Sequence, residues 1–169
     1  MRTWTAANAR CSVFTFKQGL LSAVGHDLEI EVGAFEVRWV AGAVDATFDA
    51  RSLRVRGAIV GGRLDPAVLS ARDRAQIDEN ARGSLGAASH PTIRLRAAPV
   101  PDPPPARLVG QLTLHGQTQE IIVTLAREAS GWAATGTIHQ PDFGITPFSA
   151  MLGALRVKPE VRVALHLPD

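Results

Sequence analysis

Cysteine is nearly missing from this chain: Cys11 is the only one in 169 residues. An internal disulfide is therefore excluded, and a lone thiol fits a reducing compartment. Cys11 stands at the edge of an expected strand with no activating neighbour, so it reads as a small packed side chain rather than a nucleophile. Tyrosine is absent altogether, and the basic residues are scattered, the tightest run being RSLRVR from Arg51 to Arg56. No basic stripe interleaved with aromatics exists, and no nucleic-acid partner is expected. Eighteen basic residues face sixteen acidic ones, for a net charge of +2. No apolar run approaches the roughly 20 residues of a membrane span. The first ten residues, MRTWTAANAR, lack the apolar core of a signal peptide, so the expected location is cytoplasmic.

The motifs of common chemistries are missing too. No Gly-x-Ser-x-Gly elbow occurs. Gly61-Gly62 lacks the strand, lysine and helix that surround a phosphate loop. Asp142 and Glu160 have no spacing that makes them a carboxylate pair. The five histidines, His26, His90, His115, His139 and His166, never pair at short helical spacing, and no cysteine pair accompanies them. A distributed site from three strands is the remaining metal reading. No catalytic residue, metal site or cofactor is expected. The runner-up is a barrel enzyme, or a metal- or haem-binding protein, using His26 and other histidines in a cavity.

What the chain does have is alternation of apolar and polar residues with a period of two, the mark of half-buried strands. It predicts a strand at Ser12–Lys17, with Phe14 and Phe16 on one face. Asp27–Val32 follows, with Leu28, Ile30 and Val32 inward. The phase flips at Gly33-Ala34, so that Phe35, Val37 and Trp39 carry the apolar face. A hairpin is favoured there, with a bulged single strand as the alternative. Ala43–Ala50 alternates through Phe48, and Ser52–Arg56 forms a short further strand or an edge. Thr92–Ala97 turns Ile93 and Leu95 inward. Leu108–Leu114 and Glu120–Arg127 are joined by His115-Gly116-Gln117-Thr118, with Leu112, Leu114, Ile121 and Val123 inward. Trp132–His139 adds Ile138, and Val161–Leu167 is the last strand. Between them, residues 64–86 are charged with sparse apolar anchors at Leu69, Ile77 and Leu85. Asp65-Pro66 offers a start for one or two helices. Pro99–Pro105 reads as a surface loop. The expectation is one domain over residues 1–169, all-β with a helical insertion, as an antiparallel sandwich or barrel. Edge strands and the helical arm offer pairing surfaces for a homodimer.

Residues 142–167 are the most apolar long segment. Gly144, Pro147 and Gly153 break any helix there. Phe143, Ile145, Phe148, Met151 and Leu152 thus crowd into an irregular connection, which must lie against apolar surface. It either lines a hydrophobic cavity or packs a core as a loop. Phe14, Phe16, Leu28, Ile30, Phe35, Val37, Phe48, Ile93, Leu95, Leu112, Leu114, Ile121, Val123 and Ile138 of the strands, with these five, form the expected ligand-binding set. Leu20, Leu21 and Val24 are candidates for a lid, beside His26 at a polar mouth. The plainer reading of His26-Asp27 is a turn in which Asp27 bonds the loop backbone.

Several segments, taken in order, match a known pattern: GHD at Gly25–Asp27, SLRV at Ser52–Val55, the charged segment around Asp73 and Ile77, HPTIRL at His90–Leu95, GQLTLHGQTQEI at Gly110–Ile121 and DFGITPFSAMLGAL at Asp142–Leu155. From about residue 10 onward the chain resembles the YceI-like lipid-binding family. The resemblance implies a lipocalin-like antiparallel β-barrel of about eight strands, with a helical excursion. It implies an interior tunnel that takes up a long-chain apolar small molecule, isoprenoid or fatty-acyl, without catalysis. Many relatives are periplasmic, whereas no signal peptide is expected here, and many differ at Gly25-His26-Asp27.

Overall fold

A computed structural model describes residues 1–20, 25–101 and 103–169. Among the described residues the chain is mostly β, with one α-helix. The strands are β1 (Arg2–Thr5), β2 (Arg10–Thr15), β3 (Lys17–Gln18), β4 (Asp27–Val32), β5 (Phe35–Val40), β6 (Ala43–Asp49), β7 (Leu53–Val60) and β8 (Arg63–Asp65), then helix α1 (Ala71–Ser84). After it come β9 (Thr92–Ala97), β10 (Arg107–Leu114), β11 (Gln117–Glu128), β12 (Gly131–His139), β13 (Ser149–Ala150), β14 (Leu155–Val157) and β15 (Glu160–Pro168). Twelve strands form one sheet in the order β1-β5-β6-β9-β10-β11-β12-β15-β2-β4-β7-β8, and β13, β14 and β3 form a small second sheet.

The closed barrel of about eight strands expected from the sequence is corrected: the sheet is a strongly curled antiparallel half-barrel of twelve strands. The strand count rises because long strands are bent and interrupted. β1 and β2 both pair with one continuous stretch of chain, Thr5 opposite Glu36 and Ser12 opposite Glu31. Between them the chain turns out, Asn8 and Ala9 donating to the Thr5 carbonyl. In the same way β4 and β5 run along β7 and β6, Val32 opposite Leu53 and Phe35 opposite Phe48. The Gly33 amide donates to the Ser52 carbonyl, and the Asp49 amide to the Ala34 carbonyl. Pairing is thereby carried through the bend. Gly33-Ala34 is thus a bend within one strand and not the favoured hairpin. The phase change comes from the short 3-10 turn at Ala50–Ser52 on the opposing strand. One bent ribbon lies at both ends of the strand order, which curls the sheet around its own inner face.

The β10–β11 hairpin turns on His115 and Gly116 alone, with φ of 53° and 74°. Two successive left-handed residues match the twist of the flanking strands, and glycine at the second relieves the steric cost. Of Ser52–Arg56, expected as a short strand or edge, Ser52 closes the 3-10 turn and Leu53–Arg56 begin the eight-residue β7, which has β4 on one side and β8 on the other.

Helix α1 starts later than Asp65-Pro66. Asp65 belongs to β8, and Ser70 is the N-cap. Its hydroxyl accepts from the Asp73 amide at 3.1 Å, while the Asp73 carboxylate accepts from the Ser70 amide at 3.2 Å. This reciprocal capping box satisfies two otherwise orphaned donors. The helix is stitched to β7 by polar contacts: Asp78 accepts from the Val55 amide at 2.7 Å, and Arg74 donates to the Arg56 carbonyl at 3.0 Å. Ile77, Ala81 and Leu85 pack on the core from the helix and its C-terminal end.

Candidate ligand cavity

Alternation on the curled strands turns one set of side chains to a common interior, which is a cavity of about 650 Å³. Its wall takes residues from β2, β4–β7, β9–β12 and β15, from α1, and from the connection before β15. Val161 and Leu167 of β15 both line it. The six steps from residue 161 to residue 167 span roughly 20 Å of strand at ~3.3 Å each. The interior is therefore long and apolar.

The two ends differ. At one end Trp132 faces Leu167 across β12 and β15, Trp39 faces Val44 across β5 and β6, and Trp4 joins them. The Trp4 indole N–H donates to the Pro168 carbonyl at 2.7 Å, so its one polar atom is satisfied. Val100, 2% exposed, is tucked into this end, and Pro104 also lines it. The proline-rich connection is thus in part a plug and not wholly the expected surface loop.

The other end is marked by Thr15 opposite Leu28, Ile138 opposite Val161, and the end of β10 at Leu114. All the charged lining residues gather here: Lys17, His26, Asp49, Asp73 and Arg156. Gln76 and Asn80 of α1 and Gln140 join them. Lys17 donates to the Gly25 carbonyl at 3.2 Å, and Gln140 donates to the Lys158 carbonyl at 3.1 Å. Hydrogen bonds from Ser70 hold the Asp73 carboxyl below its ordinary pKa. The small sheet stands at this end, β14 pairing with β3 and β13, and Ile145, Phe148, Leu155 and Val157 lining the interior from around it.

Among the expected ligand-binding residues, Leu28, Ile30, Val37, Phe48, Ile93 and Leu95 line the cavity, as do Leu112, Leu114, Ile121, Val123, Ile138, Ile145 and Phe148. Phe14 and Phe16 do not. On β2 the inward set is Cys11, Val13 and Thr15, so the two phenylalanines lie on the outer side. The Arg162 guanidinium sits 4.7 Å above the Phe14 ring. Phe35 is buried and stacks on Phe48 at 6.0 Å, without lining the interior. Phe143 is 2% exposed, packed with Leu112, Leu114 and Ile145 behind the wall. Met151 and Leu152 are corrected most sharply: they are 62% and 108% exposed, on the turn between β13 and β14. Of the lid candidates, Leu20 is exposed and outside the lining, while Leu21 and Val24 fall outside the described residues.

Lining residues that sequence reasoning missed include the three tryptophans, Val100, and Leu69 and Ile77 from the helical region. Leu125, Trp132, Val163 and Leu165 continue the alternation of strands already recognised, and that period was the signal available for them. Nothing local marks Val100, whose place depends on the chain folding back so that its amide donates to Gly42.

The histidines are dispersed. His26 is exposed and lines the polar end. The adjacent Asp27 accepts from the Lys17 amide of β3 at 2.8 Å, a bond to a strand ten residues earlier rather than within a turn of its own loop. His115 is half-buried. Its Nδ1 donates to the Phe143 carbonyl at 3.0 Å, and its ring meets His90 edge-on at 5.1 Å. His139 pairs with Asp142 at 3.0 Å, and His166 with Glu128 at 3.2 Å. Among the described residues no three His, Cys, Asp or Glu side chains are grouped to hold a metal. No described helix is long and apolar enough to cross a membrane.

Comparison with known proteins agrees with this geometry. No curated protein matches the sequence significantly. Among solved structures, the fold is similar to that of Burkholderia cenocepacia BcnA, with a TM-score of 0.56 at 15% identity, covering 95% of this chain and 96% of that one. The model of the YceI-like domain matches residues 4–168. The chain belongs to the YceI-like domain family.

Proposed function

We propose that this protein holds a long apolar molecule, an isoprenoid or fatty-acyl chain, inside the curled sheet, and that it does so without catalysis. The observation that carries the reading is the polarity of the cavity. Its length is apolar, its tryptophan end is covered, and its charged and amide groups gather at the opposite end. A chain with one polar terminus fits that gradient, its tail toward Trp4 and Trp132 and its head among Lys17, Gln76 and Arg156. A volume of about 650 Å³ lies within the roughly 300–1,000 Å³ of small-molecule sites. Burial of the chain supplies the driving force, at ~0.8 kcal/mol per methylene. Sixteen carbons give roughly 12 kcal/mol gross, against which the costs of association and ordering are set.

The test is uptake of a fluorescent sixteen-carbon fatty acid, and of a prenyl alcohol of similar length, by wild type and by Ala134→Trp. Ala134 is buried on the cavity wall between Leu125 and Leu165. An indole there fills space the ligand needs, so affinity falls at least tenfold while thermal stability changes by a few degrees. Ala46→Leu, at a second wall position, is the milder form of the same block. Undiminished uptake by a folded Ala134→Trp variant would place the ligand elsewhere.

A further inference from the structure

The turn between β13 and β14 turns apolar side chains outward at the polar end of the cavity. Met151 and Leu152 are 62% and 108% exposed. Both have left-handed backbone, φ 52° and 55°, and neither is glycine. Leu20 stands beside them at 93% exposure. It is held there because the preceding Gly19 is pressed against the turn: a Cβ on Gly19 would lie 2.4 Å from the Ala154 carbonyl oxygen. Phe148, 37% exposed, lines the cavity at the base of the same hairpin and links the tip to the interior. Three large apolar side chains in water, two of them on a backbone that L residues seldom adopt, are not explained by packing within the chain.

Within the two segments that build the tip, the charge is of one sign. The sequence from Lys17 to Gly25 and from Gly144 to Lys158 contains no aspartate or glutamate, while Lys17, Arg156 and Lys158 lie on or beside the small sheet. We infer that this tip is a membrane-docking element: Leu20, Met151 and Leu152 enter the interface of a bilayer whose anionic headgroups meet Lys17, Arg156 and Lys158. The cavity mouth then opens onto the lipid from which an apolar chain must be taken, or to which it is returned. A second copy of the chain is the less suited occupant. The tip is convex and offers roughly a few hundred Å², against about 800 Å² per partner in a stable protein interface. So few apolar groups give weak, reversible attachment that salt weakens further. That suits a carrier that must leave the membrane again, and in this respect the inference rests on the proposed function.

The test is flotation of the full chain with vesicles of phosphatidylcholine and phosphatidylglycerol at 3:1, compared with phosphatidylcholine alone. Wild type should float with the anionic vesicles and be released by high salt. Leu152→Asp and Met151→Asp should each lose at least tenfold of that binding. Val109→Asp, at an exposed apolar position on the remote β10, should float as wild type does. Because the tip contacts little of the fold, both tip variants should retain the wild-type melting temperature and uptake of the fluorescent fatty acid in vesicle-free solution. Wild type that stays off the anionic vesicles, or tip variants that float normally, would overturn the inference. So would tip-dependent dimerisation in sedimentation without vesicles. Uptake without flotation rejects docking alone, whereas tip-dependent flotation without uptake of either probe rejects the carrier reading and leaves docking standing.

Discussion

Cys11 shows what the interior does to a titratable group. It is 1% exposed on the cavity wall, and burial pushes its thiol from 9.0 up to about 12. The neutral thiol is inert as a nucleophile. At pH 8 a polar disulfide reagent should therefore label Cys11 only in the denatured chain, and labelling of folded protein at the denatured rate would contradict the placement. The linked effect on stability has a definite sign. The folded pKa is the higher one, so this contribution is complete below pH ~9 and is lost as pH rises toward about 12. The same strand shows what alternation conveys and what it leaves open. It separates Cys11, Val13 and Thr15 from Ser12, Phe14 and Phe16, but both sets contain apolar residues. Bulk favours the phenylalanines as the inward set. The decision is made instead across strands, where Phe14 lies between Arg162 and Glu29 on the outer face. There Glu29 is itself buried, accepting from Ser12 at 2.8 Å and from Arg56 at 3.2 Å. A single strand's sequence carries no trace of those partners.

At the scale of elements, local chemistry and long-range pairing divide the legibility. The His115-Gly116 turn was readable because it is made by its own residues. The helix was readable from Leu69, Ile77 and Leu85, but its start was not, because Asp65-Pro66 and Ser70 are both competent caps and pairing of Asp65 with Ala58 in β8 decides between them. The bend at Gly33-Ala34 was ambiguous for the same reason: its outcome depends on Ala50–Ser52 across the ribbon. The cap makes a direct prediction. Ser70→Ala should lower stability by ~1 kcal/mol in urea unfolding at neutral pH, and an unchanged midpoint would remove the capping box from the account. Asp73 adds a pH dependence. Its folded pKa lies below 3.8, so its contribution is present above pH 3.8 and is lost as pH falls through the folded value. Since Ser70 is the main cause of the depression, the difference between wild type and Ser70→Ala should shrink over that acid window.

For the whole molecule, the sequence supports the class of fold and part of the cavity wall, but not the strand count. Bends in β1–β2, β4–β5 and β6–β7 convert long strands into pairs of shorter ones, and only the pairing partners reveal which halves belong together. The stretch from Asp142 to Leu155 divides by role in a way that composition cannot show. Ile145, Phe148 and Leu155 face the interior, Phe143 packs behind it, and Met151 and Leu152 face solvent. Left-handed backbone at Met151 and Leu152 costs about 1–3 kcal/mol per residue, which the rest of the fold must offset. Such cost is expected where a segment serves contact with something outside the chain. A long apolar interior with one covered end and one polar end is the central claim. Its most direct test is mass spectrometry of the purified protein, native and after organic extraction, with added isoprenoid or fatty acid where the protein emerges empty. The account predicts one long-chain apolar molecule per protein, absent from the Ala134→Trp variant. A wild-type protein that carries none and accepts neither class would contradict it.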